Sequence, residues 1–226
     1  MIREELTKRD FKRIIKELNG GYIYNDHGRM IKFDYRYLDE MKKYRQLISA
    51  FGDINPEQIA WLSSVNVKKS YLPSGIVSYD RTPVGVIYPH FFEGYKPLTS
   101  VSSEDSELMI NNLTSAIENN LELIDNGIVN ADFAAKNVLY KGSRVELIDL
   151  SGKHIKRGLY TDSYQKTYSY FLPDLYRIIG NKLTRLYGVD EARRIVKELV
   201  IMNWNRCERE TPLEIIDNVK KMRVLK

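Results

Sequence analysis

Short apolar runs with strand-like composition fill much of the first part of the chain, and turn sequences separate them. Two such runs on either side of a tight turn predict an antiparallel hairpin. The chain contains two pairs of this kind. They are YIYN (22–25) and RMIKF (29–33) around the turn Asp26-His27-Gly28, and GIVSYD (75–80) and VGVIYPHFF (84–92) around Arg81-Thr82-Pro83.

Elsewhere apolar residues recur every three or four positions, which is the period of a helix with one buried face. Residues 11–18, FKRIIKEL, fit either a strand or the end of a helix that begins near Thr7, and the pattern leaves both open. The last helix opens with TPLE, which predicts Thr211 as its N-cap. Helices are predicted at 35–51, 55–65, 103–126, 168–187, 189–203 and 213–223, and two more strands, NVLY and VELID, flank the turn KGSR (141–144).

These elements together predict an α+β protein in two parts. Residues 1–93 are mostly strand with one or two helices, and residues 94–226 are mostly helical. No Gly/Ser-rich linker or internal repeat interrupts the chain, so the two parts are expected to be tightly joined. The expected architecture is a small antiparallel sheet followed by a mostly helical part.

Composition indicates the cellular compartment of the protein and the classes of partner that it can bind. No apolar run is long enough to cross a bilayer, and the first residues, MIREELTKRD, are charged where a signal peptide would be apolar. We therefore expect a cytoplasmic protein with no membrane partner, in which the single Cys207 forms no internal disulfide. The net charge of +5 permits anionic partners. Nucleic acid remains possible but unsupported, because the charges are dispersed and no RNA-binding pattern accompanies the tyrosines.

Three side chains with oxygen ligands follow the predicted helix at 103–126. Asp132 and Asn137 lie five residues apart, and Asp149 comes after the two strands that follow. Phosphoryl transfer needs a carboxylate to orient the acceptor and oxygen ligands for Mg²⁺, together with a lysine for the triphosphate. The pattern therefore predicts a phosphotransferase, although each residue alone also fits an ordinary cap or turn.

Residues 130–137 read N-A-D-F-A-A-K-N and residues 149–152 read D-L-S-G. They resemble the catalytic loop H-R-D-L-x-x-x-N and the metal loop D-F-G of the protein-kinase-like superfamily. The resemblance implies a two-lobe protein-kinase-like fold with ATP and Mg²⁺ as cofactors. It implies that Asp132 is the catalytic base and that Asn137 and Asp149 bind the metal.

Lys136 completes the catalytic loop in this comparison. Its position, four residues after Asp132, is similar to that of the arginine in the D-L-A-A-R-N loop of tyrosine kinases. The resemblance implies that Lys136 neutralises charge on the transferred phosphate.

The resemblance also implies nucleotide-binding residues in the first part of the chain. Gly20 and Gly21 match a shortened glycine-rich loop, Lys32 matches the lysine of the third strand, and Glu40 is its helix partner. From the residues alone, the glycines also fit a plain turn, Lys32 also fits a solvated hairpin lysine, and Asp39 competes with Glu40.

The strand VGVIYPHFF resembles the one that leads to the interlobe hinge, where the backbone from Tyr88 to His90 would bind adenine. Residues 173–183, PDLYRIIGNKL, resemble the helix that follows the activation segment. Asn130-Ala131 replaces the His-Arg of the superfamily, and no A-P-E motif follows, so the chain resembles compact members such as RIO-type, tRNA-modification and aminoglycoside-type kinases.

The function implied is transfer of the γ-phosphate of MgATP to a hydroxyl, with a protein Ser, Thr or Tyr as the favoured acceptor. Two alternatives stay open. One is a kinase of a small alcohol such as an aminoglycoside or sugar, and the other is a pseudokinase that acts as a docking module.

Overall fold

The computed structural model describes most of the chain. Gly20, Gly21 and Glu40, together with the helix predicted at 35–51, lie outside the described residues, so their predictions stay open. The described residues form an α+β protein, as predicted. They are 1–18, 23–33, 54–68, 70–151, 154–158, 163–203, 206 and 208–222.

The chain divides into two compact units. The first contains Met1–Glu93 together with Asp149–Lys153, and the second contains Gly94–Ile148 together with His154–Lys226. The short segment that begins at Asp149 therefore belongs with the strand-rich unit.

The first unit contains a five-stranded sheet. In spatial order its strands are β1 (Ile2–Leu6), β4 (Gly75–Tyr79), β5 (Thr82–Tyr88), β3 (Arg29–Phe33) and β2 (Ile23–Asp26). β1 (Ile2–Leu6) is parallel to β4 (Gly75–Tyr79), whereas the other neighbouring strands of this sheet are antiparallel. The sheet is therefore mixed, and the prediction of an antiparallel sheet is wrong. β1 escaped the sequence analysis because IREEL carries three charged residues and its partner lies far along the chain.

Gly75 allows the close approach of β1 to the sheet. A Cβ atom at this position would lie 2.4 Å from the carbonyl oxygen of Ile2. The Ile2 N–H donates to the carbonyl oxygen of Ser74 at 2.8 Å and holds the start of β1 in place. A side chain at position 75 would therefore force β1 away from β4.

Both predicted hairpins of the first unit are confirmed. The turn of the second is Asp80-Arg81 rather than the predicted Arg81-Thr82-Pro83, because Thr82 and Pro83 already pair with β4. Asp80 and Arg81 have φ angles of 49° and 63°, the left-handed conformation found in two-residue hairpin turns. The strands are β2 (Ile23–Asp26), β3 (Arg29–Phe33) and β5 (Thr82–Tyr88).

Residues 11–18 belong to a helix, α1 (Lys8–Leu18). Its buried Phe11 stacks on the ring of Tyr79 at a centroid distance of 4.6 Å and meets Phe33 edge-on at 6.5 Å. Burial of such large apolar side chains supplies most of the free energy that holds a helix to a sheet. The core of this region consists of Phe11, Ile14, Ile31, Phe33, Val77, Val84 and Ile87.

The predicted helix after Asn55 is confirmed as α2 (Pro56–Leu62). The side chain of Asn55 accepts hydrogen bonds from the backbone N–H groups of Glu57 and Gln58 at 2.9 and 3.2 Å. These bonds satisfy two of the donors that a helix leaves free at its start.

A long buried helix, α3 (Ser106–Asp125), organises the second unit and confirms the helix predicted there. Asp105 caps it by accepting from the Leu108 N–H at 2.8 Å. On its buried face, the amides of Asn112 and Asn119 donate to the carbonyl oxygens of Gly142 and Val145 at 3.0 and 2.8 Å. These two bonds attach the predicted strand pair that precedes Asp149 to α3.

Three more helices complete the second unit, and Thr211 is the first helical residue of the last one. The prediction of Thr211 as N-cap is therefore wrong, because Glu210 occupies that position and the Thr211 hydroxyl instead accepts from the Glu208 N–H at 3.0 Å. None of the described helices is long and apolar enough to cross a membrane. The remaining elements are β6 (Lys96–Pro97), β7 (Ile128–Asn130), β8 (Val138–Lys141), β9 (Arg144–Leu147), β10 (Ile155–Arg157), α4 (Ser163–Tyr187), α5 (Val189–Met202) and α6 (Thr211–Lys221).

Candidate functional site

The loop that carries Asp132 begins where β7 ends, and backbone hydrogen bonds fix its start. The N–H of Ala131 donates to the carbonyl oxygen of His154 at 2.9 Å. The buried side chain of Asn130 accepts from the N–H of Asp132 at 3.1 Å. Asn130 thus shapes the turn that presents Asp132.

Asp132 and Asn137 lie in direct contact. The amide nitrogen of Asn137 donates to the main-chain oxygen of Asp132 at 2.8 Å and to its carboxylate at 2.9 Å. The amide oxygen of Asn137 accepts no hydrogen bond within the described part of the chain, and the residue is half-buried. That oxygen therefore retains its lone pairs for a hard cation such as Mg²⁺.

Lys136 lies beside the same carboxylate but faces solvent. Its ammonium nitrogen is 3.9 Å from the carboxylate of Asp132, and its side chain is 67% exposed. An exposed ion pair at this distance contributes little to stability, on the order of a few tenths of a kcal/mol. The cation can therefore move toward another anion at small cost.

Asp174, which sequence reasoning missed, anchors the middle of this loop. Its carboxylate accepts from the N–H of Ala135 at 2.8 Å and from Arg177 at 2.8 Å. The ring of Phe133, in the same loop, stacks on that of Phe171, in the same helix as Asp174, at a centroid distance of 4.2 Å. The signal available in the sequence was an aspartate directly after Pro173, within a helix otherwise rich in apolar residues.

In the first unit, Lys32 and Asp149 form an ion pair. The Lys32 ammonium donates to the Asp149 carboxylate, across a separation of 117 residues in sequence. Their side chains are 24% and 36% exposed, so both groups are accessible to a ligand while partly shielded from water. Lys32 therefore points to the face of β3 that meets the Asp149 segment.

The backbone at Asp149 is in the left-handed region, with φ of 62°. This conformation costs an L-residue about 1 kcal/mol, and Asp and Asn tolerate it better than most. Such outliers are common at functional sites, because the surrounding structure maintains them against their local cost.

Tyr88 and Ser151 connect the same segment to the sheet. Tyr88 ends β5 opposite Met30 and is 1% exposed, and its hydroxyl donates to the Ser151 hydroxyl oxygen at 3.2 Å. Burial raises the pKa of the Tyr88 hydroxyl, although the bond to Ser151 opposes this shift. Sequence reasoning selected Tyr88 for its backbone and missed this side-chain contact.

His90, the other residue predicted at the hinge, lies outside β5 on the surface. Its ring lies 4.1 Å from that of Tyr71, measured between centroids. The next residue, Phe91, donates its N–H to the carbonyl oxygen of Gly28 at 2.7 Å. The chain after β5 is thereby attached to the β2–β3 turn.

Glu146, in β9, is an unexpected titratable group. Its side chain is half-buried, and one carboxyl oxygen is buried without a hydrogen-bond partner among the described residues. Burial raises the pKa of Glu146 to about 7, and the charge of Arg144 offsets only part of this effect. The carboxyl is therefore partly protonated at neutral pH.

The structure thus brings the predicted site residues together in two sets. Lys32 and Asp149 pair in the first unit, and Asp132, Lys136 and Asn137 cluster in the second. Within the described ranges, no group of three or more His, Cys, Asp or Glu side chains is arranged to hold a metal ion.

The chain was compared with known proteins. No protein-family model matches the sequence, and no curated protein matches it. Function must therefore be inferred from the residues themselves.

Proposed function

We propose that this protein is a phosphotransferase of protein-kinase-like, two-lobe architecture that transfers the γ-phosphate of MgATP to a hydroxyl, with a protein as the favoured acceptor. In this proposal the first unit supplies the nucleotide-binding lysine and a metal-binding carboxylate. The second unit supplies the catalytic aspartate and a second metal ligand.

The ion pair between Lys32 and Asp149 is the observation that supports the proposal most directly. A lysine on a hairpin strand normally extends into water, and an exposed surface pair contributes little to stability. Here the lysine lies against a carboxylate on a strained backbone in a half-buried position. A cation and an anion held together in this way are the two groups that a metal-chelated triphosphate needs, one for its phosphates and one for its metal.

The chemistry of the donors fits MgATP. When bound, MgATP supplies the phosphoryl group and the positive charge that neutralises it. The Asp149 carboxylate and the free amide oxygen of Asn137 are hard ligands for the metal. Lys32 would exchange its bond to Asp149 for one to a phosphate oxygen, and the exposed Lys136 would neutralise the transferred group.

Asp132 has the geometry of a positioned base. Its carboxylate is held by Asn137 at 2.9 Å and is 25% exposed, so an acceptor hydroxyl can approach it. In the proposed reaction, the acceptor hydroxyl donates its proton to Asp132 while its oxygen bonds to the phosphorus and the bond to ADP breaks.

Radiolabel transfer from ATP tests the proposal. The full chain is incubated with Mg²⁺, ATP labelled on the γ-phosphate and a generic protein acceptor, and label on the protein is measured. We expect Lys32→Met to abolish labelling, whereas Lys12→Met, which removes an exposed lysine from α1, leaves it intact. Calorimetry should show weaker ATP binding for Lys32→Met and unchanged ATP binding for Lys12→Met.

The same experiment distinguishes the alternative functions. Transfer only to a small alcohol would move the assignment to a small-molecule kinase. Nucleotide binding without turnover on any acceptor would indicate a pseudokinase, and absence of MgATP binding would refute the nucleotide site itself.

A further inference from the structure

A surface groove runs between α4 and α5 in the second unit. The two helices form a hairpin through Gly188, whose φ of 86° provides the turn between them. At Gly180 the helices come so close that a Cβ atom would meet Val196 at 3.4 Å. The groove has a volume of about 330 Å³, and its lining includes Arg177, Asn181, Thr184, Val189, Arg193 and Val196.

The charge of the groove is positive. Among the described residues its lining includes two arginines and no aspartate or glutamate, and one of them, Arg177, pairs with Asp174. Arg193 is exposed and forms no ion pair or hydrogen bond among the described residues, in contrast to its neighbour Arg194, which pairs with Glu191 and Glu198. Arg193 therefore offers an unpaired guanidinium to a carboxylate, its best-matched ligand.

Apolar surface lies at the same end of the helix hairpin. Val189, which lines the groove, is 57% exposed, and the preceding Leu186 and Tyr187 are 41% and 45% exposed. Scattered apolar residues need no explanation, but a group next to a concave site marks a surface where a partner can bury them.

We propose that this groove binds an acidic segment of the protein acceptor, with carboxylates on Arg193 and apolar side chains against Val189. This inference rests on the proposed function, because it names the partner of that same reaction. An acidic polypeptide fits better than a small anion, since only a chain can pair with the arginine and cover the neighbouring apolar surface at once. The net charge of +5 favours the same class of partner.

The groove is connected to the catalytic loop within the second unit. Arg177, in the groove lining, bonds to Asp174, which in turn accepts from the Ala135 N–H. Ala135 lies three residues after Asp132. These contacts join the lining of the groove to the loop that carries the proposed base.

Peptide binding without nucleotide tests this proposal independently of catalysis. The probe is a short fluorescein-labelled peptide rich in Glu and Leu, compared with one in which Lys replaces every Glu, and affinity is measured by fluorescence anisotropy on the full chain. We expect the Glu peptide to bind. Arg193→Glu should lower the affinity for this peptide by about tenfold or more, and Val189→Ser should lower it by about threefold. Lys197→Glu makes the same charge change one turn along α5, outside the groove lining, and should leave binding unchanged.

The proposal is overturned if Arg193→Glu leaves the affinity intact, if Lys197→Glu weakens it equally, or if the Lys peptide binds as well. Thermal unfolding of each variant verifies that the helices remain folded. Phosphate transfer should be the same in Lys197→Glu and the wild type. Peptide binding without any phosphate transfer would refute the proposed function and leave a docking groove, so the two failures are distinguishable.

Discussion

Two loops carry the proposed chemistry, and the structure holds them by different means. The loop at 130–137 is fixed through its main chain, since Ala131, Asp132 and Ala135 each donate an N–H to a partner. The segment that begins at Asp149 is held through side chains, by the bond from Lys32 and the bond between Tyr88 and Ser151.

The difference indicates which parts of the site are ready before a ligand arrives. Backbone anchors hold the main chain of the loop that presents Asp132, and such preorganisation is what catalysis requires. A side-chain ion pair can be replaced by phosphate and metal, so under the proposed function we expect the Asp149 segment to respond to nucleotide. The loop at 130–137 is expected to determine the rate of transfer, and the segment that begins at Asp149 is expected to determine the affinity for MgATP.

The largest expected effect comes from Asp132→Asn. It should lower transfer by about a thousandfold, since loss of a positioned base typically costs two to four orders of magnitude. The backbone anchors and the bond from Asn137 to the main-chain oxygen remain, so ATP affinity should not change. Single-turnover rates and ATP titration measure the two quantities, with Asp217→Asn on α6 as the control. Transfer within a few-fold of wild type would remove Asp132 from the reaction.

Asp149→Asn should act on affinity. Asn tolerates the left-handed backbone as Asp does, so the fold is kept while a charged metal ligand is lost. We expect ATP affinity in the presence of Mg²⁺ to fall by about a hundredfold. Calorimetry with and without Mg²⁺ isolates the metal-dependent part. Equal affinity of the variant and the wild type for MgATP would show that this segment holds no metal.

Asp174→Ala should break the main-chain anchoring of the first loop. The buried N–H of Ala135 loses its acceptor, which costs about 2 kcal/mol of unfolding free energy. Urea unfolding measures this loss, and Asp174→Asn, which keeps an acceptor oxygen, should cost less. If both variants were as stable as the wild type, the loop would not depend on this contact.

Glu146 lies in β9, between the two loops in sequence, and its ionisation should make the stability of the protein depend on pH. Because its pKa rises from 4.5 to about 7 on folding, the native state binds a proton that the unfolded state releases between these values. Stability should therefore fall as pH rises from about 4.5 to 7, by at most about 2 kcal/mol once solvent access to the carboxyl is allowed for. Glu146→Gln should lack this component. Urea unfolding across that pH range checks it, and the same pH dependence in both proteins would contradict the assignment.

The smallest effect is expected for the contact between Tyr88 and Ser151. Tyr88→Phe and Ser151→Ala should each cost about 1 kcal/mol, and a double-mutant cycle should show that they are coupled. Thermal unfolding and MgATP affinity are measured for the three variants. Additive effects would mean that this bond does not hold the Asp149 segment.

Local signals predicted much of the fold. Turn sequences located the hairpins of the first unit, and the three- and four-residue period located α3. The parallel pairing of β1 was missed, because a strand with a distant partner and a charged sequence has no local signature. Thr211 was misassigned as a cap because its hydroxyl finds a donor outside the helix.

In the candidate site, too, contacts between residues distant in sequence could not be predicted from local patterns. The spacing of Asp132 and Asn137 correctly indicated that they lie close together. The pairing of Lys32 with Asp149 was not predicted, because the resemblance gave Lys32 the partner Glu40 and 117 residues separate Lys32 from Asp149. Asp174 and Ser151 were missed, because each acts through one contact that depends on tertiary structure.

The close fit of β1 at Gly75 also determines which strand lies at the edge of the sheet. β4 carries the apolar residues Ile76 and Val77, and without β1 its edge would offer unpaired backbone groups to a strand of another molecule. β1 covers that edge with a strand bearing Arg3, Glu4 and Glu5, charges that discourage further pairing. Any side chain at position 75 would displace this cover, and Gly75→Val should therefore appear first as aggregation during expression.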